Sequence, residues 1–126
     1  MDPATYDKGR DIRSAVLGEA YVDNAIRNAG SFTKPPQDLV TEYCWGAVWG
    51  REGLPLKTRS MLNIAMIAIL NRPHELRTHV KGTLTTGVTR EEIREILLQV
   101  AIYAGMPAAV DAFRIVREAF AELDET

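Results

Sequence analysis

The sequence predicts a single all-α domain, a helical bundle of about six or seven helices covering residues 1–126. Three observations predict it. Apolar residues recur at helical spacing nearly everywhere, while alternation of Val and Ile with polar residues is rare and hairpin dipeptides are absent. Prolines and glycines stand where helices begin and end, as at Pro73 and Gly87. Thr89 and Glu92 form a capping box directly ahead of an amphipathic run.

The first helix runs from about Pro3 to Leu17, weakly apolar through Tyr6, Ile12 and Val16, and Gly18 breaks it. A second short helix, about Glu19 to Ala29, carries Val22, Ala25 and Ile26. Gly30 to Pro36 reads as a connection whose proline pair starts the third helix, Gln37 to about Trp49. There Tyr43, Cys44, Trp45, Val48 and Trp49 cover more than one face, and Gly46 lets another backbone come close. Core packing is the commonest use of residues such as Trp45 and Trp49; walling a pocket is the functional alternative. Arg51 to Pro55 is a turn, and Pro55 opens the fourth helix. From Met61 to Leu70 that helix is apolar nearly all round, which suits the middle of a bundle or a subunit interface. Its N-terminal end holds Arg59 and Ser60. The Arg59 fork matches a substrate carboxylate as well as a surface ion pair.

Both histidines lie in the fifth helix, which starts at Pro73 and stops at Gly87. Leu76, Val80 and Leu84 make one apolar stripe; Arg72, Glu75, His79 and Gly82 fall on its neighbour. His79 is therefore expected at the edge of the buried face with Glu75 one turn below. A half-buried histidine with a carboxylate in reach can be tuned across neutral pH, although an ordinary surface or core histidine has the same pattern. The sixth helix places Ile93, Ile96, Leu97, Val100, Ala101 and Ala104 on one face, with Leu98 and Ile102 opposite, and Gly105 stops it. The last, from Pro107, follows the seam Ala109, Phe113, Val116, Phe120 and Leu123, and residues 123–126 should fray. The surplus apolar surface predicts a homo-oligomer.

A net charge of −2 argues mildly against a nucleic-acid partner. The longest apolar run is too short to span a bilayer, and the N-terminal residues do not read as a signal peptide, so no membrane association is expected. One cysteine, Cys44, permits no intrachain disulfide and fits a reducing, cytoplasmic location. His74 and His79, five apart, fall on different helical faces and make no two-histidine metal site. Phosphate loops, dinucleotide fingerprints and paired cysteines are absent.

Residues 43–54, from Tyr43-Cys44-Trp45-Gly46 to Gly53-Leu54, lead into Lys57-Thr58-Arg59-Ser60. Glu75-Leu76-Arg77-Thr78-His79, Gly87-Val88-Thr89-Arg90-Glu91-Glu92-Ile93 and residues 103–109 follow in order. This ordered set resembles the carboxymuconolactone decarboxylase family over nearly the whole chain, and within it the γ-carboxymuconolactone decarboxylases of protocatechuate (β-ketoadipate) breakdown. The resemblance implies an alkylhydroperoxidase D-like fold and a hexamer. Aligned on His79, Arg72 and Glu75 stand where the related thiol peroxidases carry their two cysteines, and Ser60 where they use a glutamate, so peroxidase chemistry is not expected.

The activity implied is decarboxylation of 4-carboxymuconolactone, a dicarboxylate lactone, to 3-oxoadipate enol-lactone, with no cofactor and no metal. Electrons left by carbon dioxide delocalise through the butenolide double bond onto the lactone carbonyl, so the substrate is its own electron sink. On this reading His79 donates the proton and Glu75 orients it or raises its pKa. Arg59 and Arg51 bind the carboxylates, with Arg72 able to replace either; Ser60 adds a hydrogen bond to the lactone; Trp45 and Trp49 wall the site. The rivals are a paralogue acting on another small carboxylic acid or lactone, and a non-catalytic helical oligomer that binds a small acid.

Overall fold

In the computed structural model, which describes residues 1–125, the secondary structure is helical throughout. The helices are α1 (Pro3–Leu17), α2 (Glu19–Arg27), α3 (Gly30–Leu39), a π-helical stretch (Val40–Val48), α4 (Leu56–Leu70), α5 (Pro73–Thr86), α6 (Arg90–Ala104) and α7 (Met106–Asp124). Contacts divide the chain into two compact units, Met1–Pro55 and Leu56–Thr126.

In the first unit α1 has the expected bounds, starting at Pro3 and ending where Gly18 takes φ 99°. The expected connection over residues 30–36 is instead helical: α3 contains Pro35 and Pro36. These prolines cannot donate to the carbonyls one turn earlier, those of Ser31 and Phe32. The helix survives because it buries none of its residues, so those carbonyls can meet water. The third helix therefore begins at Gly30 rather than Gln37, and it runs on into the π-helix. There the Trp49 N–H donates to the Cys44 carbonyl, five residues back, at 2.9 Å.

α1 packs on this wide helix backbone to backbone. A Cβ on Gly9 would fall 1.9 Å from the Thr41 carbonyl oxygen, and one on Gly46 2.3 Å from that of Thr5. The close approach expected of Gly46 is thus reciprocal. Val16, Trp45 and Trp49 form the small apolar core beside the crossing. Arg13, Thr41 and Glu42 are buried with it. Arg13 Nη1 donates to Gln37 Oε1 at 2.9 Å, Thr41 Oγ1 donates to the Gln37 carbonyl at 2.7 Å, and Glu42 Oε1 accepts from the Asp2 N–H at 2.9 Å.

The second unit is built on branched aliphatics. Ile64, Leu76, Val80, Val88, Ile93 and Leu97 interlock with the buried face of α7. α4 packs on α5, α6 and α7. Its buried positions are Ser60, Ile64 and Ala68, one turn apart. The capping box forms as expected, with the Glu92 N–H donating to Thr89 Oγ1 at 3.1 Å and the Thr89 N–H to Glu92 Oε1 at 2.9 Å. Arg77 ties α5 to α7 through Glu118 at 2.6 Å, and Lys81 does so through Glu122. α7 is helical through Asp124; of the terminal residues expected to fray, Thr126 lies outside the described residues.

One stripe departs from expectation. Leu76 and Val80 are buried, but Leu84 is 70% exposed and Thr83 takes its place. Steps of four residues advance about 40° each around an α-helix, so Leu84 has drifted about 80° from Leu76 while Thr83 returns to within about 20°. Elsewhere the surplus apolar surface is as read: Leu62, Met66, Ile69 and Leu70 of α4 are exposed, as are Leu98 and Ile102 of α6, the last at 80%.

Candidate active site

The α4–α5 hairpin of the second unit carries Arg59, Ser60, Arg72, Glu75 and His79, whereas Trp45, Trp49 and Arg51 belong to the first unit. Only Asn71, in the left-handed region at φ 56°, and Arg72 separate the two helices. They run antiparallel, so residues equidistant from the turn stand level. By that register Ser60 is level with Thr83 and Ile64 with His79. Arg59 stands roughly one and a half turns, about 8 Å, from His79 along the hairpin.

His79 is half-buried at the edge of the stripe, as expected, with Glu75 exposed one turn before it. Burial pushes the imidazole pKa below its ordinary value, and the Glu75 carboxylate opposes the shift without cancelling it. The resting side chain is therefore largely neutral near pH 7. Ser60 is 1% exposed, and its Oγ has no hydrogen-bond partner among the described residues. A dry hydroxyl left unsatisfied is costly, and a polar ligand atom would satisfy it. Arg59, on the preceding residue, is half-buried. Arg72 caps α5 and donates from Nη1 to the carbonyls of Leu70 at 3.2 Å and Asn71 at 3.4 Å, which holds it to the hairpin tip.

Trp45 and Trp49 pack against each other, ring centroids 4.4 Å apart and planes tilted by 33°, inside the first unit's core. Their common use as core residues is the one realised there. Arg51 is exposed in the turn after the π-helix. Cys44 is partly buried, and burial raises its thiol pKa against the opposing pull of Arg13, so it rests protonated. Among the described residues no three His, Cys, Asp or Glu side chains come together to hold a metal ion, and no helix is long and apolar enough to cross a membrane.

Two further polar residues belong to the hairpin. Thr83 is buried and donates to the Val80 carbonyl at 2.5 Å. Asn63, half-buried one turn after Arg59, stands level with Val80. The seven-residue step from Leu76 to Thr83 was the available signal for the first, and the break in the apolar run for the second.

Residues 36–118, which include this hairpin, match the model of the carboxymuconolactone decarboxylase family. A 4-carboxymuconolactone decarboxylase of Acinetobacter baylyi is 38% identical over 122 residues, 97% of this chain and 91% of that protein. A nitrosuccinic acid decarboxylase of Metarhizium robertsii is 43% identical over 113 residues, 90% of this chain and 79% of its own. A 4-carboxymuconolactone decarboxylase of Pseudomonas putida is 37% identical over 41 residues, 32% of this chain and 85% of its own.

Proposed function

This chain belongs to the carboxymuconolactone decarboxylase family and is a carboxy-lyase; from that premise we propose that it decarboxylates 4-carboxymuconolactone to 3-oxoadipate enol-lactone, without a cofactor, on the α4–α5 hairpin. The observation that carries the reading is the set on that hairpin: a half-buried His79 with Glu75 one turn away, and a half-buried Arg59 beside a dry, unsatisfied Ser60.

The chemistry asks little more. Arg59 binds a substrate carboxylate. The γ-carbon loses its carboxylate as carbon dioxide, and the bond's electron pair moves through the ring double bond onto the lactone carbonyl oxygen. Ser60 donates a hydrogen bond to that oxygen as its charge grows. His79 rests largely neutral, but a bound dianion beside it raises its pKa, so the protonated imidazole forms when substrate is present. It then delivers the proton to the α-carbon, and Glu75 orients it. Arg51, Trp45 and Trp49 belong to the first unit, and no step of this proposal is assigned to them.

A second reading draws on the nitrosuccinic acid decarboxylase relative. In nitrosuccinate the carbon losing carbon dioxide bears a nitro group, whose oxygens take the electrons as a nitronate. The demands are the same: hold a dicarboxylate, stabilise an oxyanion, return a proton. Incubation with each acid, following carbon dioxide release and lactone absorbance, separates the two. Loss of neither acid would refute both readings. The exposed apolar residues of α4 and α6 support a homo-oligomer, for which the resemblance suggests a hexamer, and the lone cysteine supports a cytoplasmic location. Light scattering that returned a monomer at micromolar concentration would refute the assembly.

A further inference from the structure

A concavity of the second unit lies apart from the hairpin residues. It is a groove of about 680 Å³ along α6 and α7, wholly within the second unit and open on one side, and it includes none of the residues assigned above. That volume suits a small organic ligand. Its floor is apolar, with Leu97, Val116, Phe113 and Phe120. Its polar lining is lopsided: Arg90, Arg94, Arg114 and Arg117 against the single carboxylate of Glu91.

The arginines differ in how they are engaged. Arg90 is committed, bonded to Asp124 at 2.7 Å and lying 4.3 Å over the Phe120 ring. Arg114 has Asp111 and Glu118 only at 3.6 Å each, beyond hydrogen-bonding distance. Arg94 and Arg117 make no ion pair or hydrogen bond to any described residue. α6 and α7 meet at Gly105 and run antiparallel, so equidistant residues stand level. The Arg90–Phe120 contact fits that register. The same register sets Arg94 level with Val116, one residue from Arg117. Two uncommitted guanidiniums thus share one height of an apolar groove.

We propose that this groove binds an amphipathic organic anion, its ring or chain over Phe113 and Leu97 and its carboxylate or sulfonate head against Arg94 and Arg117. Charge decides the class: an apolar occupant would leave two guanidiniums facing it unpaired, and a cation would be repelled.

The probe is 1-naphthoate, titrated calorimetrically into the intact protein beside its neutral twin 1-naphthylmethanol. The anion should bind about tenfold or more tightly than the alcohol, the worth of one charge-assisted contact pair. Arg94→Gln with Arg117→Gln should remove that advantage, while Arg59→Ala should leave it in place. Equal binding of the two probes, no binding, or binding lost with Arg59→Ala but kept in the double variant would overturn the proposal. So would a changed oligomeric state of the double variant by light scattering, since the groove would then be an interface between copies. None of these outcomes depends on whether 4-carboxymuconolactone is turned over.

Discussion

In the first unit two helices meet backbone to backbone at two glycines: Gly9 lies on the Thr41 carbonyl and Gly46 on that of Thr5. In the second, helices stand apart on a layer of Ile64, Leu76, Val80, Ile93 and Leu97. The first therefore depends on absent atoms, and the second on atoms present. A filled aliphatic core tolerates a buried polar group at its margin, which is where Ser60 and His79 sit. A backbone crossing tolerates no added group at all. The difference teaches where substitutions should silence chemistry and where they should undo structure.

The largest expected effect is in the second unit and is chemical. His79→Ala should lower kcat by roughly two to four orders of magnitude, the usual worth of a positioned acid. KM should change far less, because Arg59 remains. Circular dichroism should show the variant folded. Near-native kcat in a folded variant would remove His79 from the mechanism.

Next comes the first unit, and the effect is structural. Gly9→Ala drives a methyl into backbone and should cost about 3 kcal/mol, the upper end for overpacking, since no flexible side chain can yield. Urea melts check it. A loss under about 0.5 kcal/mol would show that the crossing can part freely.

A smaller effect separates the units by pH. The pKa of His79 is lower in the folded chain than in the unfolded one, so protonation favours unfolding. Its contribution is intact above the unfolded value of about 6.5 and is lost as pH falls below it. Stability from urea melts should decline between about pH 7 and 5, before the carboxylates titrate, and His79→Gln should flatten that slope. A slope unchanged by the substitution would show that His79 is not held neutral by the fold.

The smallest effect is expected at Cys44. Its thiol is protonated at rest and its cluster is held by larger rings, so Cys44→Ala should leave decarboxylation within about twofold. Peroxide consumption that vanished with the substitution would overturn the exclusion of thiol chemistry.

The second unit was the more legible in sequence. Aliphatic spacing, the Thr89–Glu92 box, Pro73 and Gly87 are local signals, and each fixed its element. His79 could be placed at the edge of the stripe because four-residue steps are reliable over one turn; over two turns the drift misplaced Leu84. The first unit hid more. Proline propensity argued against a helix over residues 30–36, and only exposure on all sides lets one form there. The π-helix over Val40–Val48 has no local signature in residue type or spacing. Gly9 carries no local signal, because its reason is a carbonyl more than thirty residues away. For the site, the sequence put forward Arg59, Ser60, Glu75 and His79 as candidates; what only the structure adds is that Ser60 is buried with its hydroxyl unpartnered.

The wide helix over Val40–Val48 also bears on how this gene can change length. Each turn there holds more residues than an α-helix does over the same rise. Deleting one residue would let the stretch rewind as ordinary α-helix, and the larger angle turned by each remaining residue would offset much of the rotation lost with the deleted one. Trp49 would then stay close to its present face. One-residue length variation among natural relatives should therefore be tolerated within residues 40–48 as well as in the turn before α4.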